Sequence, residues 1–357
     1  MGNKAIKIED KIVTKKLTIL VCALLCSIPL FASGAKEEVK TVETKDSNVV
    51  KIALIIENTI DDKGWCQAMH DGVLEAQKAL PGRIKYSYSE KMKPVDAGSA
   101  ARQYVAEGYD IIIGHGAQYK NLILEMADEY PDTTFAFGTS SEVGPSNVFT
   151  YMPESEETGY LSGLIAGMVT KNNVVGVVGP VDGGDAARYN RGFVLGVKAV
   201  NSNAKFMVAH TGSFSDYIKA GQVAQSQIQS GADVLTGSSQ QALGALRAVA
   251  DQDGEEIWWV GQDIAQLGIQ EGYKCIAASS YNYKAVIESL IAKRDNGIIG
   301  GENIPMNFNN GGFIFKFNST LSDMYTGAIE DKVNAQIEAF NGKAGLIDWK
   351  SVDYSAL

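Results

Sequence analysis

The sequence predicts an α/β fold made of two doubly wound parallel-sheet lobes. From residue 49 onward, short apolar runs alternate with amphipathic stretches, which is typical of a parallel sheet with helices on both faces. The alternation forms two successive series, which indicates two similar lobes. The chain has 357 residues, of which 45% are hydrophobic and 21% charged, so it is long and apolar enough for two packed domains.

The apolar runs and the amphipathic stretches give the individual elements. Strands are expected at residues 50–56, 84–88, 110–114 and 133–137, then at 174–178, 205–209, 233–236 and 257–260, with a further strand at 274–278. Helices are expected at residues 63–80, 97–107, 121–129, 159–170, 186–200, 218–229, 243–252, 282–295 and 321–341. Residues 297–312, rich in Gly and Asn, are expected to be a turn-rich connection.

The first 35 residues have the pattern of a secretory signal peptide. Five lysines between Lys4 and Lys16 precede an uncharged run, residues 17–32, which ends in small residues. That run is shorter than the roughly 20 residues of a membrane-spanning helix. We therefore expect an exported protein, either periplasmic or anchored to the outer face of the cytoplasmic membrane. Residues 36–48 are expected to form a flexible tether.

The two cysteines of the signal region keep a lipoprotein open as an alternative. A retained membrane anchor is a further alternative. Cys22 and Cys26 lie in that region, whereas only Cys66 and Cys275 lie beyond it. Two cysteines without a neighbouring histidine pattern favour buried thiols over a disulfide or a metal site. We therefore expect no metal and no cofactor.

The acidic balance of the chain excludes one class of partner. A formal net charge of -10 and a pI near 5.0 count against a basic surface that holds nucleic acid or anionic lipid. We expect no nucleic-acid partner.

Candidate ligand residues follow the predicted strands, because ligands of open α/β sheets bind beyond the carboxyl ends of the strands. After the first strand, Trp65 shares an apolar helix face with Met69 and Val73. Trp65 is therefore either a core residue or, since it lies in the first turn, a plate on which a flat ring stacks. Asp62 is a candidate ligand residue or a cap of the same helix.

Four polar side chains at strand ends are candidates to form hydrogen bonds with the edge of a flat ligand ring. These residues are Asn58, Gln118, Gln262 and Asp263. Tyr189 is the candidate for a second stacking plate, with Phe193 as an alternative and a core position open for both.

Five motifs occur in order along the chain: DDKGW at residues 61–65 with Gly72, GYLSGLIAGM at 159–168, GFVLG at 192–196, GADV at 231–234 and GQD at 261–263. Together they resemble the basic membrane protein family of ABC-transporter substrate-binding proteins, whose characterised members include purine nucleoside receptors. The likeness covers most of residues 50–340.

The resemblance implies a type I periplasmic-binding fold whose two lobes close on a ligand, and it implies no catalysis. It places the stacking aromatic at Trp65 and a carboxylate for ribose hydroxyls at Asp263. Cys66 stands where an asparagine is usual, and Asn282 stands where a lysine near the last hinge is expected. These departures keep a free purine base, or another flat heterocycle such as riboflavin, open beside a nucleoside.

The hinge that the resemblance implies sets the expected domains. Lobe 1 takes residues 49–152 and 279–311, and lobe 2 takes residues 153–278 and 312–357. We expect a monomeric, non-enzymatic receptor that delivers its ligand to an ABC permease. A nucleoside hydrolase that uses Asp61 and Asp62 is the enzymatic alternative.

Overall fold

The computed structural model describes residues 48–252 and 254–357, so the predicted signal peptide and nearly all of the predicted tether lie outside the described residues. The strands of the described part are β1 (Val50–Ile55), β2 (Ile84–Ser89), β3 (Ile111–Gly114), β4 (Thr134–Gly138), β5 (Val148–Pro153), β6 (Val174–Gly179), β7 (Lys205–His210), β8 (Val234–Gly237), β9 (Trp258–Gly261), β10 (Cys275–Tyr281), β11 (Glu302–Met306) and β12 (Phe313–Phe317).

The α-helices of the described part are α1 (Trp65–Ala79), α2 (Pro94–Ala106), α3 (Lys120–Glu129), α4 (Glu156–Val169), α5 (Gly184–Val200), α6 (Tyr217–Gln229), α7 (Ala242–Ala250), α8 (Tyr283–Asp295) and α9 (Ala328–Gly342). None of these helices combines the length and the hydrophobicity that are needed to cross a lipid bilayer.

The strands form two sheets of six, and the two sheets have the same order. The first runs β2-β1-β3-β4-β5-β11 and the second β7-β6-β8-β9-β10-β12. All pairs in the first sheet are parallel. In the second sheet only β12 runs antiparallel, against β10. The predicted fold class, two doubly wound lobes, is confirmed. Lobe 1 denotes the first sheet with α1–α3 and α8, and lobe 2 the second sheet with α4–α7 and α9.

Burial on both faces explains why the central strands are apolar throughout. β3 and β8 are buried along their whole length, as strands covered by helices on both sides must be. The glycines of α4 and α5 have a different role. A Cβ at Gly159 would lie 2.0 Å from the Tyr189 carbonyl oxygen, and one at Gly196 would lie 2.1 Å from that of Tyr160. The glycine motifs at residues 159–168 and 192–196 therefore allow two helices to pack backbone against backbone.

The C-terminal part corrects the expected elements. The turn-rich connection contains β11, a short edge strand that tolerates Pro305 because an edge strand has an unpaired side. The helix expected at residues 321–341 is divided. A 3₁₀ segment, Ser319–Met324, is followed by Gly327 at a φ of 64°, and α9 begins only after that glycine. β5 and β12 were also not expected.

Three segments connect the two sheets: residues 153–156, 281–283 and 306–313. They are bonded to one another. The Asn282 backbone N–H donates to the Gly312 carbonyl at 2.8 Å, and the Glu154 N–H donates to the Met306 carbonyl at 2.8 Å. Three neighbouring crossings form a hinge, because rotation about them moves one lobe relative to the other.

Candidate ligand-binding site

A cavity of about 1150 Å³ lies between the lobes at the carboxyl ends of the strands. Its lining residues follow β1, β2, β3 and β4 in lobe 1, and β6 to β10 in lobe 2. In each sheet the strand order reverses beside the first strand, which is where open α/β sheets bind ligands. The volume slightly exceeds the roughly 300–1000 Å³ of typical small-molecule sites.

Trp65 forms an aromatic plate in the lobe 1 wall. The side chain is half-buried and lines the cavity. The ring of His115 stacks against it, with centroids 4.4 Å apart and planes 13° apart. Tyr281 and Tyr283 meet the indole with their rings nearly perpendicular, at 5.1 and 5.6 Å. Because His115 covers one face of the indole, a ligand has only the other face to stack on.

Hydrogen bonds fix both rings of this stack. The Trp65 indole N–H donates to the His115 carbonyl at 3.3 Å. The Nε2–H of His115 donates to the Trp65 carbonyl at 3.1 Å, so Nδ1 accepts from the Tyr151 hydroxyl at 2.6 Å. Burial lowers the pKa of His115 to about 3. The imidazole behind Trp65 is therefore neutral and the plate is held in place before a ligand binds.

Phe214 is an aromatic lining residue that sequence reasoning missed. It follows β7 in lobe 2, lines the cavity and is 52% exposed, which is unusual for so large an apolar side chain. Tyr217, the first residue of α6, also lines the cavity. The available signal was an aromatic residue directly beyond a strand end and outside any helical repeat.

The lobe 2 wall carries a chain of polar groups. The Gln262 side-chain carbonyl accepts the Ser239 backbone N–H at 3.2 Å, and its amide donates to the Tyr281 hydroxyl at 2.8 Å. That hydroxyl donates to the Asp185 carboxylate at 2.7 Å. Burial raises the pKa of Asp185, although the bond from Tyr281 acts against this. Gln262, Tyr281 and Asp185 all line the cavity.

Asp263 is both a cap and a lining residue. Its Oδ1 accepts the Ala265 N–H at 2.9 Å at the start of a 3₁₀ turn, and the residue is 8% exposed. Burial raises the pKa of Asp263 to about 7, and the negative charges of Asp62 and Asp71 act in the same direction. The Ala265 N–H and Lys63 act against them. The carboxyl group therefore changes charge near neutral pH.

The other predicted residues of lobe 1 separate into two groups. Asn58 and Gln118 line the cavity, and the Gln118 amide donates to the Glu57 carboxylate at 3.1 Å. Asp62 is not among the lining residues. Its carboxylate accepts backbone N–H groups at the start of α1, which is the capping alternative that the sequence left open.

The structure corrects two predicted site residues. Tyr189 is 0% exposed, and its hydroxyl bonds Ser162 and Thr236 at 3.1 and 2.8 Å, so it fills the interior of lobe 2. The alternative, Phe193, is also fully buried. Asn282 lies in the hinge, where its amide donates to the Gly311 carbonyl at 2.8 Å. None of the three lines the cavity.

Both cysteines of the described residues are buried and free. Cys66 lies in the cavity wall, directly after Trp65. Burial raises the pKa of both thiols, to about 12 for Cys275. The thiols therefore stay protonated and act as small apolar groups.

Comparisons with known proteins show the family of the chain. The family model described as Bmp, ABC transporter substrate-binding protein PnrA-like, matches residues 49–342. The "ABC transporter nucleoside-binding protein BmpA" of Lactococcus lactis is 25% identical over 92% of this chain and 98% of its own length. The "Putative ABC transporter glucose-binding protein TsgA13" of Haloferax volcanii is 31% identical over 70% of this chain and 64% of its own length.

A solved structure shows the same fold. The solute-binding protein of an ABC transporter system from Conexibacter woesei superimposes with a TM-score of 0.71 at 23% identity, and the match covers 84% of this chain and 99% of that chain.

Proposed function

Because the chain belongs to the Bmp family of PnrA-like ABC transporter substrate-binding proteins, we propose that its cavity binds a purine nucleoside or a free purine base. The ligand is delivered to an ABC permease in the membrane. Substrate-binding proteins of this family are extracytoplasmic.

One observation supports the choice of a planar ligand: the Trp65 indole is partly exposed, lines the cavity and is held in place by His115 stacked on one of its faces. Stacking of a base on an aromatic side chain contributes about 1 to 3 kcal/mol. Phe214, from the other lobe, lines the same cavity with half of its surface exposed. We infer that Phe214, in place of Tyr189, is the second plate, so that closure of the lobes encloses the ring from both faces.

The polar residues of lobe 2 suit the edge of a purine. Asp263 accepts hydrogen bonds when ionised, and Gln262 offers both a donor and an acceptor. A site built to hydrogen-bond its ligand rejects analogues that leave these groups unpaired. Asn282 is bonded within the hinge, so the position where the resemblance expects a lysine does not contribute to the cavity.

Two alternative ligands, glucose and riboflavin, are included in the binding experiment below. The Haloferax relative is named as a glucose-binding protein, but a cavity of about 1150 Å³ is larger than a monosaccharide requires. Riboflavin is a larger flat heterocycle that the same plate would accept. The Lactococcus relative, named as nucleoside-binding, is matched over nearly its whole length and supports the purine assignment.

We also propose that the ligand is released unaltered. The nucleoside-hydrolase alternative needs the carboxylates of Asp61 and Asp62 at the ligand. Asp61 is exposed and Asp62 is bonded to the start of α1, and neither lines the cavity. The receptor acts as an exported monomer, freely soluble or lipid-anchored, whose two lobes are divided at the three connecting segments, residues 153–156, 281–283 and 306–313.

Calorimetry with adenosine, guanosine, adenine, riboflavin and glucose tests the ligand class. We expect binding of at least one purine with a 1:1 stoichiometry, and no binding of glucose. Chromatography of the same mixtures tests turnover, and we expect the nucleosides to remain intact. Tight binding of glucose or riboflavin alone, or release of a free base from a nucleoside, would contradict the proposal.

A further inference from the structure

The two lobes meet directly at one carboxylate beside the cavity. Asp62 Oδ2 accepts a hydrogen bond from the side-chain amide of Gln240 at 3.1 Å. Asp62 precedes α1 in lobe 1, and Gln240 follows β8 in lobe 2, so this bond joins parts of the chain 178 residues apart. The bond is therefore a contact between the lobes, and of its two residues Gln240 also lines the cavity.

The carboxylate is held firmly by its own lobe. Asp62 Oδ1 accepts the backbone N–H groups of Gly64 and Gln67, each at 3.0 Å, and Oδ2 accepts that of Cys66 at 3.3 Å. These groups form the start of α1, where the helix dipole favours a negative charge. Asp62 is only 8% exposed. The Gln240 amide thus adds a fourth donor, from the opposite lobe, to a carboxylate that is already positioned.

The residues on both sides of Gln240 are fixed by hydrogen bonds within lobe 2. Its neighbour Ser239 donates its backbone N–H to Gln262, one of the polar lining residues, at 3.2 Å. The side chain of Gln241 donates to the carbonyls of Val178 and Ser238, both at 2.9 Å. The bond between Asp62 and Gln240 therefore connects two rigid loops, and it can form only when the lobes are close together.

Gly64 shows how close the approach is. Its φ of -159° is an extended conformation that any residue adopts, so its backbone does not require glycine. A Cβ at this position would lie 3.3 Å from Gln240 Cγ, which is tighter than an ordinary contact. The missing side chain instead leaves room for Gln240 of the other lobe.

We propose that Asp62 and Gln240 form a latch between the lobes that stabilises the closed arrangement and slows the release of any ligand. The proposal rests on the proposed function only in that the ligand is held between the lobes. Both residues act as positioning residues. Because the latch stabilises the closed lobes themselves, its loss reduces affinity by a similar factor for different ligands.

The first test measures lobe closure without added ligand, by small-angle X-ray scattering of the purified protein. Gln240→Glu places a second carboxylate against Asp62, so we expect a larger radius of gyration than in the wild type. Gly64→Ala requires the Gln240 side chain to shift by a few tenths of an ångström, so we expect a smaller change in the same direction. Gly268→Ala is the matched control, because Gly268 does not line the cavity and no atom beyond its chain neighbours lies within 4 Å of an added Cβ there.

The second test measures rates with adenosine and guanosine as probes. Loss of a hydrogen bond to a charged group corresponds to about a tenfold effect, so Gln240→Glu should raise the dissociation rate of each bound probe about tenfold and leave the association rate nearly unchanged. Gly268→Ala should retain the wild-type dissociation rate. Thermal unfolding of each variant checks that the lobes themselves are intact.

The outcomes separate the latch from the ligand assignment. Wild-type scattering for both Gln240→Glu and Gly64→Ala would overturn the latch. Unchanged scattering with a loss for only one probe would also overturn it, and would make Gln240 a ligand contact instead. If the variants had a larger radius of gyration but the wild-type protein bound neither adenosine nor guanosine, the latch would be supported and the purine assignment rejected.

Discussion

The two lobes have the same strand order but present different walls to the cavity. The lobe 1 wall is an aromatic plate, Trp65, backed by an imidazole whose depressed pKa keeps it neutral. The lobe 2 wall carries hydrogen-bonding groups, Gln262 and Asp263, and the Asp263 carboxyl titrates near neutral pH. From this comparison we propose that Trp65 of lobe 1 provides the main stacking surface for the ligand and that lobe 2 provides the buried groups that bind its edge. Substitutions in the two walls should therefore have different signatures.

Removal of the plate should have the largest effect. We expect Trp65→Ala to weaken the binding of every flat ligand by about 2 kcal/mol, roughly 30-fold, because a stacking surface is lost. Calorimetry measures this loss. Trp349→Ala is the matched control, since Trp349 is a half-buried tryptophan that packs near Arg188 and does not line the cavity. Equal affinity of Trp65→Ala and the wild type would assign Trp65 to the core.

The polar wall should respond to pH. A ligand that donates a hydrogen bond to Asp263 is bound mainly by the ionised form, because a charged acceptor makes the stronger bond, and burial raises the pKa of this carboxyl to about 7. The ionised fraction grows about tenfold between pH 6 and pH 8, so affinity should rise about tenfold over that range. Titration calorimetry at several pH values measures the rise, and Asp263→Asn should abolish it.

Glu157 is the necessary control for that experiment. Its carboxylate accepts the Phe308 N–H in the hinge, and burial raises the pKa of Glu157 to about 7 as well. Glu157→Gln should keep the pH dependence of binding. If the dependence disappeared with Glu157→Gln and survived Asp263→Asn, the titrating group would belong to the hinge and not to the polar wall.

The same carboxyl should have the opposite effect on stability. Because its pKa is higher in the folded state than in the unfolded chain, Asp263 stabilises the fold fully below its ordinary pKa, and this contribution is lost as pH rises through about 7. Urea unfolding without ligand should therefore show a smaller free energy of unfolding at pH 8 than at pH 5. The slope should be shallower in Asp263→Asn, and an identical slope would argue against the raised pKa.

The exposed plate of lobe 2 should contribute less than Trp65. We expect Phe214→Ala to weaken binding by about 1 kcal/mol, roughly fivefold, because half of the ring faces solvent already. Ile218→Ala is a suitable control, since Ile218 is 77% exposed nearby and does not line the cavity. Equal losses for the two variants would show a general effect of the loop.

The smallest effect on binding is expected for the tyrosine that the sequence proposed as the second plate. Tyr189→Phe removes a hydroxyl that bonds Ser162 and Thr236 inside lobe 2. We expect the free energy of unfolding to fall by about 1 kcal/mol while affinity stays unchanged. A clear loss of affinity with an unchanged free energy of unfolding would show that Tyr189 contributes to ligand binding.

Most of the fold was predictable because buried parallel strands form apolar runs that alternate with helices. The strands that were missed break this alternation. β5 follows β4 without an intervening helix, and β11 is a short edge strand that contains Pro305. Their places in the sheets depend on pairing between distant segments, which local patterns do not encode.

The lining of the cavity was predictable where a residue directly follows a strand, as with Asn58 and Asp263, because the topology itself brings strand ends together. It was not predictable where the position depends on the rotation of a helix or on the approach of the lobes. Tyr189 points into lobe 2 because α4 and α5 pack closely. Phe214 and Gln240 reach the cavity only through loops whose neighbours come from far along the chain.

Native mass spectrometry of the protein purified from cells, followed by extraction and identification of the bound molecule, tests the central claim most directly. The account predicts a one-to-one complex with a purine base or nucleoside, and loss of that complex in Trp65→Ala. A bound monosaccharide that is retained by Trp65→Ala would contradict it.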